Sequence, residues 1–126
     1  MSVFKNKRIL VAEDDMVNQL LLKHAITSFG ADVDIVDNGR LAIKKMDENQ
    51  YDLLVTDIHM PQMNGFETSL HIREKLKNTI PIIALTAELP TERTNKYKEA
   101  GMTECLSKPF TLESLSAIME KAFLLP

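Results

Sequence analysis

A small set of polar residues in this chain stands at the ends of short apolar runs, and their types suit one chemistry. Glu13-Asp14-Asp15 follow Ile9-Leu10-Val11-Ala12, and Asp57 follows the run Asp52–Thr56. Thr86 closes Ile80–Leu85, and Lys108 follows Glu104–Ser107. Clustered carboxylates raise one another's pKa values unless a cation stands among them. Mg²⁺ takes hard oxygen ligands, keeps several waters, and is commonly held by one or two carboxylates plus a phosphate. Beside such an ion a carboxylate oxygen can attack phosphorus, while an ammonium stabilises charge on the transferring oxygens. Taken singly, each residue has an ordinary explanation. An Asp after an apolar run is usually a helix cap, and a lone Lys or Thr is usually solvated. Their joint placement on four run ends is what points to phosphoryl chemistry.

The runs that carry these residues have strand length, and each is followed by a helical pattern. A fifth run, Asp32-Val33-Asp34-Ile35-Val36, alternates polar and apolar and reads as a strand with a wetter face, near an edge. Met16–Phe29 carries Val17, Leu20, Leu21, Ala25 and Phe29 at helical spacing, and Gly30 follows as a stop. Arg40–Asn49 offers Leu41, Ala42, Lys45 and Met46, and Phe66–Lys77 offers Phe66, Leu70, Ile72 and Leu76. Thr111–Phe123 offers Leu112, Leu115, Ile118, Met119 and Phe123, with Thr111 as its N-cap. Between the last two strands, Pro90–Ala100 has only Tyr97 and Ala100 to bury, helped by Leu89, so this helix should be weakly held. Strand and helix thus alternate five times. That pattern predicts an α/β domain, a parallel sheet covered on both faces, with ligands beyond the carboxyl ends of its strands.

Composition narrows the field further. The chain has 126 residues, 44% of them apolar, which suits one domain. Its formal charge of −3 offers nothing to recruit nucleic acid or an anionic membrane. The longest apolar runs are far short of the roughly 20 residues that cross a bilayer, and Met1–Arg8 lacks the apolar core of a secretory signal. The single Cys105 cannot form an internal disulfide, which fits a reducing, cytoplasmic setting.

The motifs Ile9-Leu10-Val11-Ala12-Glu13-Asp14-Asp15, Leu54-Val55-Thr56-Asp57-Ile58-His59-Met60-Pro61-Gln62-Met63-Asn64-Gly65, Ile82-Ile83-Ala84-Leu85-Thr86-Ala87 and Lys108-Pro109-Phe110 resemble the receiver domain of two-component response regulators. The resemblance runs from Lys7 to about Phe123. It implies a flavodoxin-like (βα)5 fold, strand order 2-1-3-4-5, filling residues 1–126 with a core of about 7–123 and no effector domain. It also implies that Asp57 is the phosphoacceptor, that Asp14 ligates Mg²⁺ directly and Glu13 largely through water, and that Asp57 and the backbone carbonyl of His59 complete the protein's ligands. Mn²⁺ would serve in place of Mg²⁺. Thr86 matches the switch hydroxyl, with Ala87 beside it, and Lys108 the lysine that pairs with the phosphoryl group. Lys108-Pro109 matches a peptide bond that is cis in the family, and Gly65 the glycine before the third helix. Asp15 reads as a helix-start residue whose charge suits the following N-terminus. His24 and His71 read as ordinary helix residues.

Two positions depart from the family pattern. Three residues before Lys108, where the family often carries a Tyr or Phe that changes exposure with phosphorylation, stands Cys105. A thiol cannot exchange a buried ring for an exposed one, so the switch is expected to run through Thr86 and the Ala87–Pro90 loop, with the fourth helix shifting as a body. The other departure is His59 with Glu88, two residues past Asp57 and Thr86, where the family tunes how water reaches the acyl phosphate. The resemblance further implies a phosphodonor, either a histidine kinase or a histidine phosphotransfer protein. It implies catalysis only of the domain's own phosphorylation and dephosphorylation, and a monomer or weak phosphorylation-dependent dimer that acts through the surface of the fourth helix, fifth strand and fifth helix. The Val17-Asn18-Gln19 run is similar to receivers attached to hybrid sensor kinases. Two alternatives remain. A Mg²⁺-dependent aspartyl-phosphate phosphatase wants an Asp where His59 stands and a substrate cap. A flavin protein wants a phosphate loop of Ser, Thr and Gly where the acidic run lies.

Overall fold

In a computed structural model, described over residues 3–87 and 95–124, strands and helices alternate along the chain. The order is β1 (Arg8–Ala12), α1 (Met16–Ser28), β2 (Asp32–Val36), α2 (Gly39–Glu48), β3 (Leu53–Asp57), α3 (Gly65–Glu74), β4 (Ile82–Thr86), α4 (Lys96–Glu99), β5 (Glu104–Ser107) and α5 (Leu112–Leu124). The strands form one parallel sheet in the order β2-β1-β3-β4-β5. This is the expected flavodoxin-like arrangement, with the alternating run Asp32–Val36 at an edge. β1, β3 and β4 are continuous apolar runs because helices cover both of their faces. Ile9, Val11, Leu53, Val55, Ile83 and Leu85 point to one face, against Leu22 and Ile26 of α1 and Leu115 and Met119 of α5. Leu10, Ala12, Leu54, Ile82 and Ala84 point to the other, against Met46 of α2, Ile72 of α3 and Tyr97 of α4.

Element ends differ from the expected ones where local chemistry intervenes. β4 begins at Ile82 rather than Ile80, since Pro81 has no N–H for the ladder, though its carbonyl accepts from Leu54 N. β3 runs one residue later than expected and so includes Asp57. α3 ends at Glu74 rather than Lys77, where the chain enters the left-handed region at φ +53°. Of the expected fourth helix, the described part is Lys96–Glu99, with Tyr97 and Ala100 buried as anticipated. Leu89 and Pro90 lie outside the described residues. The packed body also begins before residue 7, because the Phe4 ring is buried against Phe29 and Phe123, at 5.4 and 5.9 Å between centroids.

The larger correction concerns α1. Val17, Leu20 and Leu21, expected to face the core, are 64%, 64% and 55% exposed, and Met16 is 73% exposed. Ala25 is buried as expected, but Leu22 and Ile26 are the large residues that accompany it into the core. The helix is apolar nearly all round its first turns, so spacing alone could not choose its inner face. Its start is set by polar contacts: Asp15 accepts from Asn18 N at 2.9 Å, and Gln19 Nε2 donates to the Glu13 carbonyl at 2.6 Å. Leu41, Leu70 and Leu112 are likewise exposed rather than core.

Candidate functional site: a carboxylate cleft at the strand ends

Parallel register brings the polar run ends to one edge of the sheet. Glu13 extends β1 by one residue, its N–H donating to Val36 O at 3.0 Å. Asp57 closes β3 and lies opposite Leu85 of β4, one residue before Thr86. Lys108 follows β5, and its N–H donates to Thr86 O at 2.8 Å. The Lys108–Pro109 peptide is cis, as the resemblance implied. Gly65 opens α3 directly beneath the site. A Cβ there would collide with the Asp57 carbonyl oxygen, and the Gly65 N–H donates to Ile58 O at 2.8 Å. Asn64 and Glu67 form a reciprocal capping box that holds this turn.

The side chains converge. Lys108 Nζ lies 2.8 Å from Asp57 Oδ2 and 3.3 Å from Glu13 Oε1. Ligand oxygens of Glu13, Asp14 and Asp57 all lie within 4.8 Å of one another. Glu13 is fully buried, Asp57 nearly so, and Asp14 is exposed at the mouth. Burial, then the hydrogen bond and charge of neighbouring Asp57, push the Glu13 carboxyl up to about 7. Burial also opposes charge on Asp57, but its hydrogen bonds with Glu13 and Lys108 and the lysine's charge outweigh that and hold its carboxyl below the usual range. Lys108 is raised in turn, because the Asp57 hydrogen bond and charge outweigh the cost of its burial. The single cation therefore serves chiefly Asp57. The backbone N–H of His59 also points at Asp57 Oδ1, at 3.4 Å, while the His59 side chain is exposed.

One lysine cannot balance this cluster. Among the described residues Glu13 Oε2 is buried without a hydrogen-bond partner, an arrangement that costs about 1–3 kcal/mol, and more for a charged group. Three convergent oxygen donors with one orphaned lone-pair set fit a hard divalent cation. Asp14 and Asp57 would hold it, with the buried Glu13 behind them. Such an ion supplies charge neutralisation to phosphate oxygens.

Thr86 is buried, and the Tyr97 hydroxyl of α4 donates to its Oγ1 at 3.0 Å. Reading the sequence missed this contact and treated Tyr97 as core alone. No spacing rule connects a helix residue to a strand-end hydroxyl eleven positions earlier. Cys105 is half-buried in the same apolar cluster as Tyr97, and burial with Glu104 nearby pushes its thiol up to about 11. Asp15 is the N-cap of α1, as expected. His24 is exposed and His71 half-buried, each on its helix. Glu88, paired in expectation with His59, lies outside the described residues.

Fold and cleft together define an open α/β domain with an acidic, cation-ready pocket around one lysine-paired aspartate. The chain belongs to the response regulator receiver domain family, whose pattern it matches over residues 9–120. It is 42% identical over 107 residues to the sensor protein EvgS of Escherichia coli K12, a match that covers 85% of this chain and 9% of that protein. The chain therefore spans a small fraction of the length of that relative. Among solved structures, the chemotaxis response regulator CheY4 of Vibrio cholerae superposes with a TM-score of 0.88 at 28% identity, over 94% of this chain and 99% of that one. The receiver domain of the sensor histidine kinase PA1611 from Pseudomonas aeruginosa, solved with magnesium coordinated in its active-site cleft, superposes with a TM-score of 0.84 at 30% identity. That match covers 94% of this chain and 98% of that one. Among the described residues no helix is long and apolar enough to cross a membrane.

Proposed function

We infer that this receiver takes a phosphoryl group onto Asp57 from a phosphohistidine, supplied by a histidine kinase or a histidine phosphotransfer protein. The observation that carries this is the position of Asp57: buried at a strand end, ionised beside Lys108 at 2.8 Å, and within reach of two further carboxylates. An Asp57 carboxylate oxygen forms the new O–P bond as the donor's N–P bond breaks, and the electron pair returns to the imidazole. Lys108 holds the attacking carboxylate and then faces the transferred oxygens. Thr86 offers its hydroxyl to one of them. Asp14, Asp57, the His59 carbonyl and, through water, Glu13 would hold Mg²⁺, or Mn²⁺ in its place. The His59 imidazole is exposed, and on this reading it tunes loss of the acyl phosphate.

The donor reading gains support from α1. Its exposed Met16, Val17, Leu20 and Leu21 begin immediately after the acidic run, at the mouth of the cleft. A donor that presents a histidine from a helix can cover that face while reaching Asp57. The domain then acts only on its own phosphorylation state, in the cytoplasm, as a monomer or a weak dimer that answers to phosphorylation. The phosphatase alternative lacks its acid: His59 occupies the place its second Asp would need.

Intact mass after incubation with acetyl phosphate tests the assignment. One phosphoryl group should be gained only with Mg²⁺, and Asp57→Asn should abolish the gain. An undiminished gain in Asp57→Asn would place the acceptor elsewhere.

A further inference from the structure

Within the carboxylate cleft, Asp14 is held differently from its neighbours. Lys108 reaches both Asp57 and Glu13, and Asp15 caps α1. The exposed Asp14 carboxylate takes no hydrogen bond or ion pair among the described residues. Its place is therefore set by the backbone on either side of it, and both sides are tied to Gln19, half-buried on α1. Before Asp14, the Glu13 N–H donates to Val36 O at 3.0 Å, and the Glu13 carbonyl accepts from Gln19 Nε2 at 2.6 Å. After it, the Asp15 carbonyl accepts from the Gln19 N–H at 2.9 Å. A peptide unit is planar, so a fixed Glu13 carbonyl also fixes the nitrogen and Cα of Asp14.

We propose that Gln19 is a positioning residue for the cation site: its side-chain amide and its backbone N–H bracket Asp14 and aim it at the space shared with Glu13 and Asp57. The inference rests on the cation reading above. Oxygens of the three carboxylates lie within 4.8 Å of one another, and Asp14 is the member of that set with no side-chain partner to keep it there. Mg²⁺ demands near-ideal octahedral geometry, so a carboxylate free to swing away binds it poorly. The backbone bond from Gln19 survives a substitution at this position, whereas the amide bond does not. Without the amide, the Glu13–Asp14 peptide is free to rotate, while the Glu13 side chain stays held by burial and by Lys108. Gln19 thus acts through the backbone of the acidic run and not on the reacting atoms.

Gln19→Met keeps the length of the side chain and removes the donor. Mg²⁺ titrations followed by amide NMR should show affinity about tenfold weaker than in the parent, the scale at which groups that orient metal ligands act. Phosphorylation by acetyl phosphate should need correspondingly more Mg²⁺ yet reach a rate within twofold of the parent at saturation. In the metal-free protein the Glu13 carbonyl carbon resonance should move upfield, since that oxygen has lost its donor. Gln19→Ala, a strong helix former, serves the same test if Gln19→Met folds poorly. Leu22→Val loosens α1 from the sheet without touching the acidic run, and should bind Mg²⁺ within twofold of the parent. Affinity less than threefold weaker in Gln19→Met, an unmoved Glu13 resonance, or an equal loss in Leu22→Val would overturn this inference alone and leave Gln19 a helix-start contact. Absence of Mg²⁺ binding by the parent would overturn the cation reading and this inference with it.

Discussion

Lys108 Nζ donates to Asp57 Oδ2 at 2.8 Å across 51 positions of sequence, and the same ammonium lies 3.3 Å from Glu13 Oε1. Together with the Glu13 hydrogen bond, its own hydrogen bond and charge hold the nearly buried Asp57 carboxyl below the usual range. Lys108→Ala leaves Asp57 and Glu13 facing each other without the ammonium. Without Mg²⁺ this variant should lose about 1–3 kcal/mol of stability in urea titrations, and saturating Mg²⁺ should restore much of that. Mg²⁺ should bind no more weakly than in the parent, while phosphorylation or its transmission to α4 is impaired. Much weaker Mg²⁺ binding would make Lys108 part of the metal site instead.

The two acidic residues after β1 should differ in effect. Asp14 is exposed at the mouth, whereas Glu13 is buried, with burial raising its carboxyl to about 7. On the proposed ligand set, Asp14→Asn removes a direct ligand and Glu13→Gln a contact made largely through water. Mg²⁺ titrations should show the larger loss of affinity, and of phosphorylation, for Asp14→Asn. Equal titrations would reject the ranking.

The faces of α1 can be separated by substitution. Leu22 is fully buried against the sheet, so Leu22→Ala should cost about 2–5 kcal/mol. Leu20→Ala and Leu21→Ala, on the exposed face, should change stability by no more than about 0.5 kcal/mol. The paired exposed variant should still accept phosphate from acetyl phosphate at the parent rate, yet slowly from a phosphohistidine protein. Equal slowing with both donors would remove α1 from the docking surface.

Cys105 should be a poor nucleophile. Burial, aided by the Glu104 charge, lifts its thiol to about 11, so at pH 8 little of it is thiolate. Reaction with a small thiol reagent should run about 100-fold slower than for free cysteine, and should keep rising between pH 7 and 9 instead of levelling near 8.5. A plateau in that range would mean an exposed, ordinary thiol.

The run ends Glu13, Asp57, Thr86 and Lys108 were legible in the sequence because a parallel sheet puts the carboxyl ends of all its strands on one edge, whatever their separation along the chain. The same periodicity made the strands and nearly all the helices readable, since apolar residues repeat at the spacing of the surface they bury. The inner face of α1 was not readable. Val17, Leu20 and Leu21 are as apolar as Leu22 and Ile26, and only the capping contacts of Asp15 and Gln19, together with the shape of the sheet, select which set is covered. The hydroxyl pair of Tyr97 and Thr86 belongs equally to the tertiary structure. Periodicity reports which residues leave water, whereas a polar contact between a helix and a strand end depends on where packing sets that helix down.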